Sequence, residues 1–202
     1  MKILAINGSH RKGKNTSEML KLVLEEAAAS GAQTELVELV DLNIKPCVSC
    51  NKCLRRATCS ITDDDTAQIL EKMVAADAIV LGSPVYFGNV SGLTKIFIDR
   101  TRPLHMVKNL LHGKIGAAVT IAGMRNEGQE ITMQIMEAFL KCQGLLVIDA
   151  RDPESDVGPR TMGTLFAGLK DGKTVWKRGV LEDEAAVLAC RQLGRNIVAA
   201  LK

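Results

Sequence analysis

The sequence predicts a doubly wound α/β protein: a parallel sheet of five strands with helices on both faces. Three observations point there. Five short apolar runs alternate with stretches of helical periodicity. The opening run, Ile3-Leu4-Ala5-Ile6, is continuously apolar rather than alternating, as a strand covered on both faces is. It ends in a loop that opens a helix, the place where open α/β sheets bind ligands. Five strands are too few for an eight-unit barrel.

Ile3-Leu4-Ala5-Ile6 makes the first strand and stops at Asn7-Gly8-Ser9. From Thr16 to Ser30 the period changes, with Leu20, Val23, Leu24 and Ala27 on one helical stripe and Gly31 as the stop. Glu35 to Val40 reads as the second strand. Residues 66–76 read as a helix capped by Asp63-Asp64-Asp65. Ala78 to Gly82 is the third strand, Thr94 to Thr101 a helix, and Lys114 to Ala122 the fourth strand. The helix that follows is expected to bury Ile131, Ile135, Phe139 and Cys142. Leu145 to Asp149 is the fifth strand, and the last helix, about 183–201, buries Cys190, Leu193, Ile197 and Leu201. Cys142 and Cys190 are both expected in the core. Residues 1–202 are read as one domain, with a cysteine-rich loop at 43–62 and an irregular insertion at 151–182. Within that insertion Asp171-Gly172 marks a hairpin turn.

Composition narrows the class. With 47% apolar and 24% charged residues, the chain is neither disordered nor fibrous. A net charge of +3 is too small a surplus to predict the clustered basic face that nucleic-acid binding needs, so no nucleic-acid partner is expected. No apolar run is long enough to span a bilayer, so no membrane partner is expected. The N-terminal apolar stretch is short and has no cleavage site, so a cytoplasmic protein is expected. In a reducing compartment its cysteines stay free, bind metal or do redox work.

Gly8-Ser9-His10-Arg11-Lys12-Gly13-Lys14-Asn15-Thr16 joins the first strand to the first helix. A helix start there offers backbone N–H groups and a positive dipole end, which together hold a phosphate. Ser9, Asn15, Thr16 and Ser17 add neutral donors and Arg11 a charged fork. Gly8-x4-Gly13-Lys14 approaches a nucleoside-triphosphate loop, but Asn15 stands where that motif needs the Ser or Thr that holds Mg²⁺. No G-x-G-x-x-G dinucleotide fingerprint is present.

The loop Gly8-Ser9-x-Arg11-x3-Asn15-Thr16 resembles the FMN phosphate loop of the flavodoxin-like NAD(P)H-dependent FMN reductases. Ser83-Pro84-Val85-Tyr86-Phe87-Gly88-Asn89-Val90-Ser91-Gly92, followed by Leu93-Thr94-Lys95-x3-Asp99-Arg100, resembles the segment that carries the isoalloxazine ring in that superfamily. The resemblance implies a flavodoxin-like sheet of order 2-1-3-4-5. It also implies that Pro84, Val85, Tyr86, Phe87 and Gly88 meet the ring, with Gly88 and Gly92 allowing close approach.

Within Cys47-x2-Cys50-x2-Cys53-x5-Cys59 the first three cysteines have the compact spacing with which ferredoxins present thiolates to a [4Fe–4S] cluster, but the fourth comes five residues on instead of three and is followed by Ser60 instead of Pro. Zinc, free thiols and a redox disulfide are the alternatives. The run, followed by Ile61-Thr62-Asp63-Asp64-Asp65, resembles the iron–sulfur flavoproteins, a branch of the same superfamily. This resemblance implies a redox enzyme that passes electrons between ferredoxin or NAD(P)H and a small acceptor. FMN and a [4Fe–4S] cluster held by Cys47, Cys50, Cys53 and Cys59 would carry them, in a homodimer or homotetramer. An NAD(P)H-dependent FMN or quinone reductase without a cluster, or a non-catalytic electron carrier, is the alternative. No acid–base pair stands out, so no catalytic residue is assigned.

Overall fold

The computed structural model describes residues 1–156 and 158–202. Its elements run β1 (Lys2–Asn7), α1 (Asn15–Ala29), β2 (Gln33–Glu38), α2 (Thr66–Ala75), β3 (Ala78–Pro84), α3 (Gly92–Arg100) and α4 (Arg102–Met106). They continue with β4 (Ile115–Ala122), α5 (Gln129–Cys142), β5 (Leu146–Val147), β6 (Met162–Thr164), β7 (Phe166–Lys170), β8 (Lys173–Trp176) and α6 (Glu184–Ala200). The main sheet is parallel in the order β2-β1-β3-β4-β5. This is the expected flavodoxin-like 2-1-3-4-5 arrangement.

Successive residues of a strand point to opposite faces, and β1 shows the consequence. Ile3 and Ala5 join Val80 and Val119 under α1 and α6. Leu4 and Ile6 join Ile79 and Leu81 under α2, α3 and α5. Every residue of β3 and β4 is buried, as two covered faces require.

Three elements depart from expectation. β2 ends at Glu38, because Leu39–Asp41 turns into a 3-10 helix that buries Leu39. The fifth strand is split. β5 pairs with Ile115 and Gly116 of β4, and β6 pairs with Thr120 to Ala122 of the same strand. Asn196 holds the departing chain through the carbonyls of Asp149 and Arg151, both at 2.9 Å. Val157, inside the expected 151–182 insertion, lies outside the described residues.

The stripe of α5 is also displaced. The buried residues are Gln129, Thr132, Met133, Met136 and Leu140, whereas Ile131 and Cys142 are exposed. Ile135 and Phe139 pack only at the margin of the core. Periodicity fixes the angle between residues but not which of two adjoining apolar stripes meets the sheet. Cys142 is therefore not a core residue. Cys190 is, and burial pushes its thiol up to about 12.

β7 and β8 form an antiparallel hairpin turned on Asp171 and Gly172, whose φ values of +51° and +71° suit a tight two-residue turn.

Candidate functional site

The carboxyl ends of β1, β3 and β4 deliver three loops to one rim of the sheet. Between them lies a cleft of about 180 Å³ lined by Ser9, Arg11, Lys14, Asn15, Thr16, Pro84, Val85, Tyr86, Ile121, Ala122, Gly123 and Leu165. Seven of the ten residues proposed from sequence for the cofactor are in that lining.

The first loop is built to leave donors free. α1 begins at Asn15 with no side-chain cap on its N–H groups. The first-turn N–H groups of a helix have no partner within the helix. Asn15 turns its own Oδ1 to the Val180 N–H at 3.1 Å, which pins the helix start to the segment before α6. Lys12 is neutralised by Asp41 at 2.6 Å. Arg11 and Lys14 have no carboxylate partner among the described residues, and both line the cleft. The positive end of α1 and two uncompensated cations thus face the same space, which favours an anion.

Ser17 is placed differently. Its hydroxyl donates to Glu38 Oε1 at 2.6 Å and accepts from Asn7 Nδ2 at 2.8 Å and the Gly13 N–H at 3.0 Å. Asn7 also donates to Glu38 Oε2 at 2.6 Å and accepts from the Ser9 N–H at 3.0 Å. Ser17 is therefore fully engaged below the loop, where it sets the loop's curvature.

The second loop is locked to the first by buried hydroxyls. Ser91 caps α3 by accepting from the Thr94 N–H at 3.0 Å, and its hydroxyl donates to the Gly8 carbonyl at 2.5 Å. The Ser83 hydroxyl accepts from the Ser91 N–H at 3.0 Å and lies 3.2 Å from Thr94 Oγ1. Gly8 is required at this crossing, because a Cβ there would fall 1.7 Å from Thr94 Oγ1. Beyond Pro84, Tyr86 and Asn89 exchange backbone hydrogen bonds of 2.9 and 3.1 Å, closing a turn whose central residues are Phe87 and Gly88. Both have positive φ, +52° and +70°, and the Phe87 ring is wholly exposed. A non-glycine residue held left-handed with an aromatic ring in solvent is a costly arrangement, of order 1 kcal/mol. Tyr86 is half-exposed beside His10, their ring centroids 5.9 Å apart. Gly92 has open space where a Cβ would stand and is the first residue of α3.

Sequence reasoning missed the third wall, Ile121, Ala122 and Gly123 at the end of β4, and Leu165 beyond β6. The strand order itself was the available signal, since β4 lies beside β3 at the same rim. The α5 start packs there too: a Cβ on Gly128 would fall 2.6 Å from Gly88 Cα.

The cysteine loop does not form the four-sulfur cage. Cys47, Cys50, Cys53 and Cys59 line one shallow depression with Arg100 and Arg102. Yet among the described residues no three His, Cys, Asp or Glu side chains are gathered to hold a metal ion. Their surroundings explain why. Left-handed Ser49 and Asn51 (φ +50° and +59°) turn the backbone between the thiols. Cys47 Sγ accepts from the Ser49 N–H at 3.4 Å, and Cys50 Sγ lies 3.0 Å from Ser60 Oγ. Cys53 is buried in a 3-10 turn, and Cys59 lies beside the buried Arg100 guanidinium. The expected [4Fe–4S] cluster, and the iron–sulfur and metal-binding character that went with it, are therefore corrected. The residues present do not fit the group, and all six cysteines are free thiols. Hydrogen bonding from Ser60, the Lys52 N–H and the Lys52 charge lower the Cys50 pKa.

Arg100 anchors this loop. It is buried with Asp64, to which it makes a short hydrogen bond through Nη1 and one of 3.2 Å through Nη2. It also donates to the carbonyls of Lys45 at 2.6 Å and Ile61 at 3.3 Å. Burial alone would raise the Asp64 pKa. The Arg100 hydrogen bonds and the N–H groups of Lys45 and Thr66 outweigh it and hold the carboxyl at about 2.

A parallel sheet of order 2-1-3-4-5, an anion-ready first loop and a turn beside it define a flavodoxin-like protein with a phosphate-type ligand site. The chain belongs to the family described as NADPH-dependent FMN reductase, which matches residues 1–152. It is thus an FMN-binding oxidoreductase of the FMN-reductase type. It is 35% identical, over 100% of its length and 98% of the relative's, to a protein of Methanocaldococcus jannaschii named iron–sulfur flavoprotein. It is 38% identical to a protein of the same name from Archaeoglobus fulgidus, over 98% of this chain and 94% of that one. Among solved structures it is similar to a flavone reductase (TM-score 0.68, 21% identity), covering 99% of this chain and 62% of that one. At that identity the likeness speaks for the fold alone.

Proposed function

We propose that this chain binds FMN in the cleft between the first and second loops and acts as an NAD(P)H-dependent FMN- or quinone-reductase-type enzyme without a metal cluster. The carrying observation is the uncapped start of α1, open to the cleft beside Arg11 and Lys14. In this reading the N–H groups of the first turn, with Ser9, Arg11, Asn15 and Thr16, hold the phosphate. Pro84, Val85, Tyr86, Phe87 and Gly88 face the ring, and Ser17 shapes the loop from below. Bound FMN supplies hydride acceptance and its onward release as electrons. The protein's own work is binding and orientation. Asn7, Ser17 and Glu38 preset the phosphate loop, and the Ser83, Ser91 and Thr94 hydroxyls preset its spacing from the ring loop. No side chain is assigned a proton to move. The donor is NAD(P)H, the acceptor a small molecule, the assembly a homodimer or homotetramer, and the compartment the cytoplasm. No helix is long and apolar enough to cross a membrane among the described residues.

The test is steady-state oxidation of NADH and NADPH by FMN-loaded protein with a soluble quinone as acceptor. Turnover supports the reading. Protein that keeps FMN yet turns over neither nucleotide, and is reduced only by ferredoxin, is an electron carrier instead.

A further inference from the structure

The hairpin β7–β8 is tied to the cleft rim and carries aromatic surface that the flavin reading does not use. The Leu165 N–H donates to the Gly123 carbonyl at 3.0 Å, Thr164 Oγ1 donates to the same carbonyl at 3.1 Å, and the Lys177 N–H donates to Leu165 O at 2.7 Å. The hairpin therefore sits where the third wall ends. Trp176, the one tryptophan of the sequence, lies against Gly123: a Cβ there would come within 3.7 Å of its ring. Its indole is still 52% exposed. Phe166 is its directly paired cross-strand residue, so both rings stand on one face of the hairpin. Arg125, in the loop after β4, places its guanidinium 6.0 Å from the Phe166 ring centroid. Arg125 is exposed and has no carboxylate partner among the described residues. The nearby Lys177 is already paired with Asp183 at 3.2 Å.

An exposed indole, a second ring on the same face and an unpaired guanidinium make a flat surface with one positive charge. It begins at Gly123, which lines the cleft itself. Aromatic faces attract other π-systems, and an uncompensated Arg selects those carrying an anionic group. We infer that Trp176, Phe166 and Arg125 form a docking platform for the second substrate, a planar aromatic acceptor bearing a negative charge. The inference rests on the FMN reading of the neighbouring cleft, and the platform adds a substrate subsite to it.

Trp176 reports on its own surroundings, because no other indole fluoresces in this chain. FMN-loaded protein is titrated with 1,4-naphthoquinone-2-sulfonate while Trp176 emission is followed, with calorimetry as a second readout. Neutral 1,4-naphthoquinone is the control. Saturable quenching is expected for the sulfonate, weakened by salt. Arg125→Gln should weaken the sulfonate about tenfold and leave the neutral quinone and the FMN affinity unchanged. Trp176→Leu, followed by calorimetry, should weaken both quinones. Quenching that never saturates overturns the platform, as does an Arg125→Gln variant that binds the sulfonate as the parent does. So does competition between the sulfonate and FMN, which would make the strip part of the flavin site. Concentration-dependent burial of Trp176 with no binding of the sulfonate overturns it too, and assigns the face to a second copy of the chain. If FMN itself fails to bind while the sulfonate still saturates, the flavin reading falls, and with it the substrate role, and the strip is left as a binding site for a planar aromatic anion.

Discussion

Replacing Asp64 by Asn leaves the Arg100 guanidinium buried and charged with no carboxylate to balance it, only the new amide oxygen, the Cys59 thiol and the Lys45 and Ile61 carbonyls. Removing one partner of a buried pair costs about 3–5 kcal/mol, more than the net worth of the pair, because the survivor keeps its desolvation penalty. The proton linkage gives an independent magnitude. The Asp64 carboxyl falls from 3.8 to about 2, nearly two pH units. At about 1.4 kcal/mol per unit this is roughly 2–3 kcal/mol of stability. Because the native pKa is the depressed one, that stability is fully present above pH 4. It is lost as pH falls from about 4 toward about 2. Urea unfolding at pH 7 should therefore show Asp64→Asn about 3 kcal/mol less stable than the parent. Between pH 5 and pH 2.5 the parent should lose roughly 2 kcal/mol that the variant does not lose. Arg100→Met combined with Asp64→Asn should recover part of the deficit, since both charges are then gone. A single variant that costs less than about 1 kcal/mol, or one with the parent's acid limb intact, would refute this account of how the cysteine loop is anchored.

Three further outcomes follow from the same geometry. Arg11→Ala removes a charged donor from the phosphate site and should weaken FMN by about 10- to 100-fold, read by flavin fluorescence, with the unfolding midpoint unchanged. Gly128→Val sets a Cβ against the Gly88 backbone at a residue with φ of +93°. It should destabilise the fold by about 1–3 kcal/mol and weaken FMN through the displaced ring loop, whereas a parental FMN affinity would show that the two loops move independently. Under reducing conditions Cys50 should be alkylated at a lower pH than an ordinary thiol, and Ser60→Ala should move its profile upward, as peptide mapping would show. Cys190 should react only on unfolding.

What the sequence disclosed and what it withheld divide along physical lines. The strands and the cleft's first two walls were legible because they rest on local signals, whereas the strand order came from the family resemblance. The local signals are the apolar runs of β1, β3 and β4, the change of period at α1, and loops whose residue types suit a phosphate and a ring. Asp171-Gly172 likewise marked a turn that needs two positive φ values. Three things were not legible. The α5 stripe was missed because Ile131, Ile135 and Phe139 satisfy helical spacing as well as Met133, Met136 and Leu140 do, and only the sheet chooses between them. The split of the fifth strand depends on β4 being long enough to serve two partners. The cysteine run misled because spacing along the chain says nothing of where each sulfur turns. Ser60 and the buried Arg100 take up two of the directions that a cage would need. Ser17 shows the same limit in miniature: its residue type suits a phosphate, but Asn7, Gly13 and Glu38 claim its hydroxyl.

The central claim is that the open start of α1 holds the phosphate of a flavin mononucleotide. Titration of flavin-stripped protein with FMN and with riboflavin, which lacks only the phosphate, tests it most directly. The account predicts one FMN per chain and riboflavin bound about 100-fold more weakly or worse, since several charge-assisted hydrogen bonds are lost with the phosphate. Equal affinity for the two flavins, or no FMN bound at all, would contradict it.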